Sequence, residues 1–308
     1  MNRETPPWLW TLLLVLAVAL PLVLHARGQD YYISMISRMM IYGIAACSLN
    51  LILGFGGLVS FGHAAFVGIG AYAVGIMITE GVTSGWLNFA VAMGVSALAA
   101  AVIGAISLRT RGVYFIMITL AFAQMIYYLV NSIKAYGGDE GLNIKSRSNF
   151  GMGLDLKNDL TFYFVVLLVL VLTLVVISRM MKSRFGRVIL AIRDDDTRVD
   201  AIGFPAYTYK WILFIIAGTL GGLAGALMVN HQNYVSPNLM HWTQSGVLMI
   251  MVILGGVGTL LGPAIGAALI VLFENLVSAY TQRWLMVLGF VYVLVTLFAP
   301  RGLTGLVQ

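Results

Sequence analysis

A chain of 308 residues that is 60% hydrophobic and 10% charged cannot cover itself with polar surface, because an ordinary soluble domain carries roughly a quarter charged residues. A membrane-spanning helix takes about 20 mostly apolar residues, so this length admits roughly ten spans joined by short loops. The net charge of +6 does not indicate nucleic acid, since Lys and Arg are sparse and fall in loops rather than forming a basic stripe with interleaved aromatics.

The first apolar run, Trp8 to Leu24, follows Arg3 as a signal peptide would. However, Leu24-His25-Ala26-Arg27 is a poor small-x-small cleavage site and another span follows at once, so a retained helix over 8–25 is expected. Further runs bounded by charges, Gly or Pro predict helices over 31–53, 58–79, 86–108, 113–133, 161–178, 209–229, 245–257, 260–275 and 284–299. The stretch from Ser245 to Phe273 is too long for one span and is divided at the cluster Gly255, Gly256, Gly258, Gly262, Pro263. The expected architecture is an all-α membrane protein of about ten transmembrane helices in a single domain, residues 1–308. Cys47 is the only cysteine and lies in an apolar run, which excludes an intrachain disulfide and a cysteine metal cluster and leaves structural filler as its role.

Basic loops stay on the cytoplasmic side of a membrane. With both termini inside, eleven Lys and Arg fall in cytoplasmic segments against six outside, with Arg38 placed inside a span. The external residues sit mostly in a long polar, Gly-rich loop from Asn131 to Leu160, suited to docking a partner. At an offset of 200, Gly56, Gly62 and Ala64 match Gly256, Gly262 and Ala264, each set at a cytoplasmic turn followed by an outward helix. Duplicated helical units are common in transporters, where the substrate path runs at the repeat interface; three matches in a Gly-rich chain make only a weak internal repeat.

Small residues let helices approach closely in lipid. Gly218 with Gly222, Gly221 with Gly225, and Gly258 with Gly262 and Gly266 each stand four apart, and close packing is the plainer reading of all of them. In GFGGLVSFGHAAFVGIGAY, Gly54 to Tyr72, packing again suits the glycines, but Ser60 and His63 offer polar groups to a permeant, and ionisable groups in spans tend to be functional. Arg38 and Glu274 each need a partner, water or a route to the interface, and can pair with one another. In SRFGRVILAIRDDDTRVDAIGF, Ser183 to Phe204, Asp194 and Arg198 have the favourable i,i+4 order, and Asp196 is placed to cap a short helix with Val199 and Ile202 on its apolar side. Such a helix docks into a partner's groove, unless the stretch is simply solvated loop.

No Gly-x-x-x-x-Gly-Lys-Ser/Thr phosphate loop, Gly-x-Ser-x-Gly elbow or His-Glu-x-x-His pair occurs. The four histidines are scattered, so no catalytic or metal-binding residues are expected. An ion-coupled secondary transporter would show intramembrane carboxylates, and these spans have almost none; a membrane enzyme would show a His, Asp or Glu cluster at one membrane face.

Taken together, GFGGLVSFGHAAFVGIGAY, RGVYFIMITLAF (Arg111 to Phe122), SRFGRVILAIRDDDTRVDAIGF, GTLGGLAGAL (Gly218 to Leu227), MVILGGVGTLLGPAIGAA (Met251 to Ala268) and APRGLTGL (Ala299 to Leu306) resemble, in order and spacing, the LivM-type permeases of bacterial branched-chain amino acid ABC importers. The resemblance runs from about Tyr42 to Leu306. It implies an inner-membrane permease paired with a LivH-like permease, two cytoplasmic ATPase subunits and a periplasmic substrate-binding protein, with ATP and Mg held by the ATPases and no cofactor in this chain. Ser183 to Phe204 then resembles the loop that couples to an ATPase, through Arg187, Arg193 and Asp194, with Asp200, Ala201 and Gly203 at its Ala/Gly-bearing end. Related permeases carry urea, short amides or aromatic acids, so leucine, isoleucine and valine are the expected but not the sole candidate substrates.

Overall fold

The computed structural model describes residues 7–280, apart from 145, 146, 152–155 and 157, together with 283, 286, 287, 289, 290 and 293; side chains are described from residue 17 onward. The described residues form eleven α-helices and one two-stranded ribbon. The expected span over 284–299 lies almost wholly outside them.

In chain order the helices are α1 (Pro7–Ala26), α2 (Asp30–Asn50), α3 (His63–Thr79), α4 (Gly85–Ser107), α5 (Val113–Ser132), α6 (Asp159–Lys182), α7 (Arg184–Asp194), α8 (Asp196–Ala201), α9 (Ala206–Gln232), α10 (Trp242–Gly255) and α11 (Gly262–Ser278). Among the described residues, five segments are long and apolar enough to cross a membrane: α2 with its extension to Phe55, α4, α5, α6 and α9. The apolar helices α3, α10 and α11 have 17, 14 and 17 residues. At 1.5 Å per residue the longer two reach only about 25 Å, as half-helices entering from a turn do.

Burial sorts the spans. In α2 and α9, 72% and 67% of the most apolar window is inside the bundle, against 17% in α5 and 33% in α4 and in α6. The central pair α2 and α9 therefore carries α3, α4, α10 and α11 around it, while α5 faces outward with Tyr114, Met117 and Tyr128 exposed. Glycine makes the central contacts possible. A side chain at Gly225 would meet the Val67 carbonyl, one at Gly222 would meet Ser96, and one at Gly70 would meet the backbone of Gly222. On α11, a side chain at Gly266 would meet the Met251 carbonyl, with the Gly255 nitrogen 2.8 Å away.

The division of the 245–273 stretch falls at Gly256–Leu261, between α10 and α11. The expected helix over 58–79 begins instead at His63, because Gly57 has φ +68° and the chain from Gly56 to Gly62 is a turn. Before that turn, α2 continues into a π-wound segment, Leu51–Phe55, a winding that is rare and concentrated at functional sites.

At the end of the bundle away from α7, the stretch expected to be a polar loop carries more regular structure than a loop. Leu142–Asn143 pairs antiparallel with Tyr234–Val235, and a buried Asn88–Ser148–Asn230 chain of hydrogen bonds at 3.1 and 2.7 Å ties the loop to α4 and α9. Arg147 bonds Asp159 at 2.8 Å and lies over the Phe162 ring. Two-residue strands are below the reach of periodicity, so sequence alone does not show the ribbon.

Candidate functional site

The polar residues of the bundle gather where α2 ends and α3 begins. His63 opens α3 and is fully buried. Its Nε2 lies 2.7 Å from the Ser48 hydroxyl, which is itself 2.7 Å from the Ala45 carbonyl. A serine hydroxyl has one proton to give. With that proton on Ala45, His63 Nε2 carries the ring proton, and Nδ1 is an acceptor that makes no hydrogen bond among the described residues. A side chain at Gly221 would begin 3.4 Å from the same Nε2, at ordinary contact distance, so the imidazole packs against α9 as well as α2.

Ser60, also buried, accepts from the Gly62 nitrogen at 3.3 Å within the turn. The first free nitrogens of a helix need partners, and here α10 supplies one: the Ser245 hydroxyl accepts from the Ala64 nitrogen at 3.0 Å. From α5, Thr119 accepts from the Phe61 nitrogen at 3.3 Å. Ser60 and His63 thus share a turn held from α2, α5 and α10. The residues that hold it, Ser48, Thr119 and Ser245, have no signal in the sequence, being single hydroxyls in apolar helices.

The matching turn, Gly256–Leu261, packs against the end of α2 and its π-wound extension. Asn50, the last residue of α2, holds that turn with its amide, accepting from the Gly258 nitrogen at 2.9 Å and donating to the Thr259 carbonyl at 2.8 Å. Gly54 has no room for a side chain, since Gly258 Cα would be 2.8 Å away. Gly258 has φ +75°, and Gly262 lies against Gly255 and Thr259. Gly218 closes the row on α9, where a side chain would come within 2.5 Å of Ala100 Cβ.

Beneath both turns lie α7 and α8. In α7 the apolar positions Phe185, Val188, Ile189 and Ile192 follow i, i+3, i+4, i+7, a single helical stripe. That stripe packs with Leu51, Ile52 and Leu213 in one of the two apolar clusters of the core. Ser183 caps α7 by accepting from the Gly186 nitrogen, and a side chain at Gly186 would collide with Met181, so the chain can reverse sharply out of α6. The helix then breaks at Asp195, which corrects two expectations. The cap of α8 is Asp195 rather than Asp196, accepting from the Arg198 nitrogen at 3.1 Å, because the break falls one residue earlier. Arg198 accordingly pairs with Asp195 at 3.5 Å and Asp194 with Arg193 at 3.6 Å, in place of an Asp194–Arg198 pair. A third expectation also changes: Val199 is buried, but Ile202 lies beyond the end of α8 and is 69% exposed.

Asp196 turns inward, meeting Lys210 at 2.9 Å and Arg111 at 3.4 Å. The Lys210 hydrogen bond and charge, with Arg111 assisting, hold its carboxyl below the usual carboxylate range. Asp200 caps the next helix by accepting from the Ala206 nitrogen at 2.8 Å. Ala201 ends α8. Gly203 has φ +93° with open space where a side chain would stand, and it lies between the exposed Ile202 and Phe204. Arg187 points to solvent, while Arg193 reaches up to the Gly54 carbonyl at 3.1 Å. Sequence thus places this stretch correctly as a polar segment with helical character but misses that α7 is fastened to the glycine turns.

Elsewhere Arg38 and Glu274 pair at 2.9 Å between α2 and α11, with the Arg38 guanidinium beside the Tyr42 ring. A small cavity of about 20 Å³, room for about one water, opens between Tyr42, Val67, Met228 and Leu248. Among the described residues, no three His, Cys, Asp or Glu side chains gather as a metal site requires.

The family model described as "Branched-chain amino acid transport system / permease component" matches residues 31–298. The high-affinity branched-chain amino acid transport system permease proteins LivM of Salmonella typhimurium and Escherichia coli K12 are each 30% identical to this chain, over 94% of it and 73% of their own length. The LivH permease protein of E. coli K12 is 23% identical, over 86% of this chain and 91% of its own. No solved structure matches.

Proposed function

We propose, since this chain belongs to the permease-component family of branched-chain amino acid transport systems, that it is the translocation subunit of an ATP-driven importer for leucine, isoleucine and valine. The observation that carries this is the extent of the likeness, 94% of the chain, so that the whole membrane machinery is matched rather than one glycine motif. It is a multi-pass membrane protein and a transport subunit, with no catalytic role of its own.

In the finer reading, about ten spans cross the inner membrane with both termini in the cytoplasm. The end bearing α7 and α8 faces the cytoplasm, in line with its Arg109, Arg111, Arg179, Lys182, Arg184 and Arg187. A LivH-like permease completes the pathway, a periplasmic protein delivers substrate to the opposite end, and two ATPase subunits bind ATP and Mg and grip the stretch from Ser183 to Phe204. The two glycine turns, each followed by a short helix, suit a duplicated unit of the kind many transporters use, and the permease pair rocks between outward and inward states. Ser60 and His63 belong to the wall of the pathway. Closure of the ATPases moves α7 and α8, and the half-helices α3 and α11 follow.

The test is uptake of labelled leucine into vesicles holding the complete complex, with the binding protein outside and ATP on the ATPase side. We expect uptake that requires ATP and is competed by isoleucine and valine. ATP-independent uptake on a proton or sodium gradient would overturn the ATP-driven reading, and competition by urea, acetamide or benzoate in place of leucine would overturn the substrate.

A further inference from the structure

Motion of a cytoplasmic helix reaches a transport pathway only through side chains that touch both, and α7 has one that does so at several points. Arg193 Nη1 donates to the Gly54 carbonyl at 3.1 Å, inside the π-wound end of α2. The stem of the same side chain lies over Gly57, its Cγ only 2.7 Å from where a side chain there would begin. On the other turn, Nη1 is 3.8 Å from the corresponding point at Gly258. Gly54 and Gly258 are in turn locked by Asn50, which bonds the backbone on both sides of the Gly258–Thr259 peptide.

Three chemical features make this a linkage rather than incidental packing. Gly57 and Gly258 have φ +68° and +75°, so both turns are glycine-dependent at the points where the arginine lies. The carbonyl that Arg193 takes belongs to a π-wound segment, whose Gly56 nitrogen bonds back five residues to Leu51 at 3.0 Å. An acceptor there is available to a side chain because Gly54 is among the last residues before the helix ends, where carbonyls lack intrahelical donors. Finally, although the Arg193 side chain is 40% exposed and has Asp194 at 3.6 Å on its solvent side, its Nη1 still turns inward to the Gly54 carbonyl.

We propose that Arg193 is the positioning residue that couples α7 to the pathway: it pins the end of α2 to both glycine turns, so that α7, the π segment and the turn at 256–261 move as one body. The proposal rests on the reading of Ser183 to Phe204 as the ATPase-coupling stretch.

The experiment compares wild type, Arg193→Ala and Arg193→Lys in the reconstituted complex, reading ATPase copurification, ATP hydrolysis and labelled-leucine uptake together. Arg193→Ala is expected to take up leucine roughly tenfold less per ATP hydrolysed, a loss larger than any loss of ATPase copurification and within the 5–150-fold span of ordinary coupling energies. Arg193→Lys keeps the charge and one donor and is expected to recover part of that ratio. An unchanged ratio of uptake to hydrolysis in Arg193→Ala would overturn the proposal, as would a loss of copurification equal to the loss of uptake, which assigns Arg193 to ATPase binding alone. A wild-type complex that does not take up leucine sinks the transport reading instead and is recognised from the control. Should Arg193→Ala not assemble, spin labels at Ala191 and Val257, both exposed, decide the matter in a chain that keeps Arg193. Their separation is expected to stay constant between the nucleotide-free and the ATP-plus-vanadate states, and a change beyond the breadth of the labels overturns the single-body coupling.

Discussion

Replacing Gly225 tests the close approach of α3 to α9, one of the two central helices. A side chain there begins against the Val67 carbonyl oxygen, with Val67 C at 2.8 Å and Ala71 N at 2.9 Å. All three are backbone atoms of a neighbouring helix and cannot swing aside. Ordinary contact starts near 3.4 Å, so the two longer contacts alone require α3 and α9 to part by about half an ångström even for alanine and the nearer carbonyl oxygen requires more, which forfeits at least roughly a quarter of the dispersion well for each atom pair along the seam. Gly70 against Gly222 and Phe66 near Gly218 lie on that seam and loosen together. Overpacking of this kind costs about 1–3 kcal/mol, and Gly225→Leu stands at or above the top of that range. The assay is thermal unfolding of the purified complex in detergent at a fixed scan rate, where we expect Gly225→Ala to lower the midpoint by roughly 2–10 °C and Gly225→Leu by more. Gly94→Ala is the control, since a side chain there meets nothing within 4 Å, and it is expected to be neutral or slightly stabilising through helix propensity. Equal midpoints for Gly225→Leu and wild type would refute the packing argument.

Three further outcomes follow from the same geometry. His63→Leu removes the partner of Ser48 while Ser48 keeps its bond to Ala45, so stability should fall by only about 0.5–1.5 kcal/mol while leucine uptake drops several-fold; wild-type uptake in a normally inserted variant reduces His63 to packing. Gly203→Ala and Gly203→Trp both meet the strain of a positive φ, but only tryptophan adds bulk beside Ile202 and Phe204. Tryptophan alone should therefore weaken ATPase copurification or uncouple hydrolysis from uptake, and equal behaviour of the two variants argues against a docked partner. Asp196→Asn should destabilise the chain at neutral pH, because a carboxyl held below its unfolded range contributes stability that is complete above that range and is lost as pH falls through the depressed value. The gap in thermal stability between variant and wild type should therefore narrow as pH falls into the acid range, and a gap that does not change with pH counts against the Lys210 pairing.

What the sequence determined by itself is what the solvent dictates. Hydropathy places the long helices within a few residues, because a chain in lipid must satisfy its backbone internally. Glycine and proline divide the 245–273 stretch, because positive φ and a missing amide are local properties. Composition rules out a soluble domain, and the long ordered motifs are enough to recognise the permease family. The tertiary structure alone decided which apolar helices are central, since α2 and α5 are similarly hydropathic and differ only in their neighbours. It also decided the partners of isolated polar groups. Nothing near Asn50 foretells Gly258, and nothing near His63 foretells Ser48, because such bonds join residues brought together by folding. The one-residue error at the cap of α8 has a local cause, three consecutive aspartates that are equally able to cap, among which the Lys210 and Arg111 pairing of Asp196 leaves Asp195 to the helix. The reach of Arg193 into both glycine turns depends on α7 lying under the end of α2, a placement set by the burial of Ile189 and Ile192 against Leu51 and Ile52 and by no property of the arginine itself.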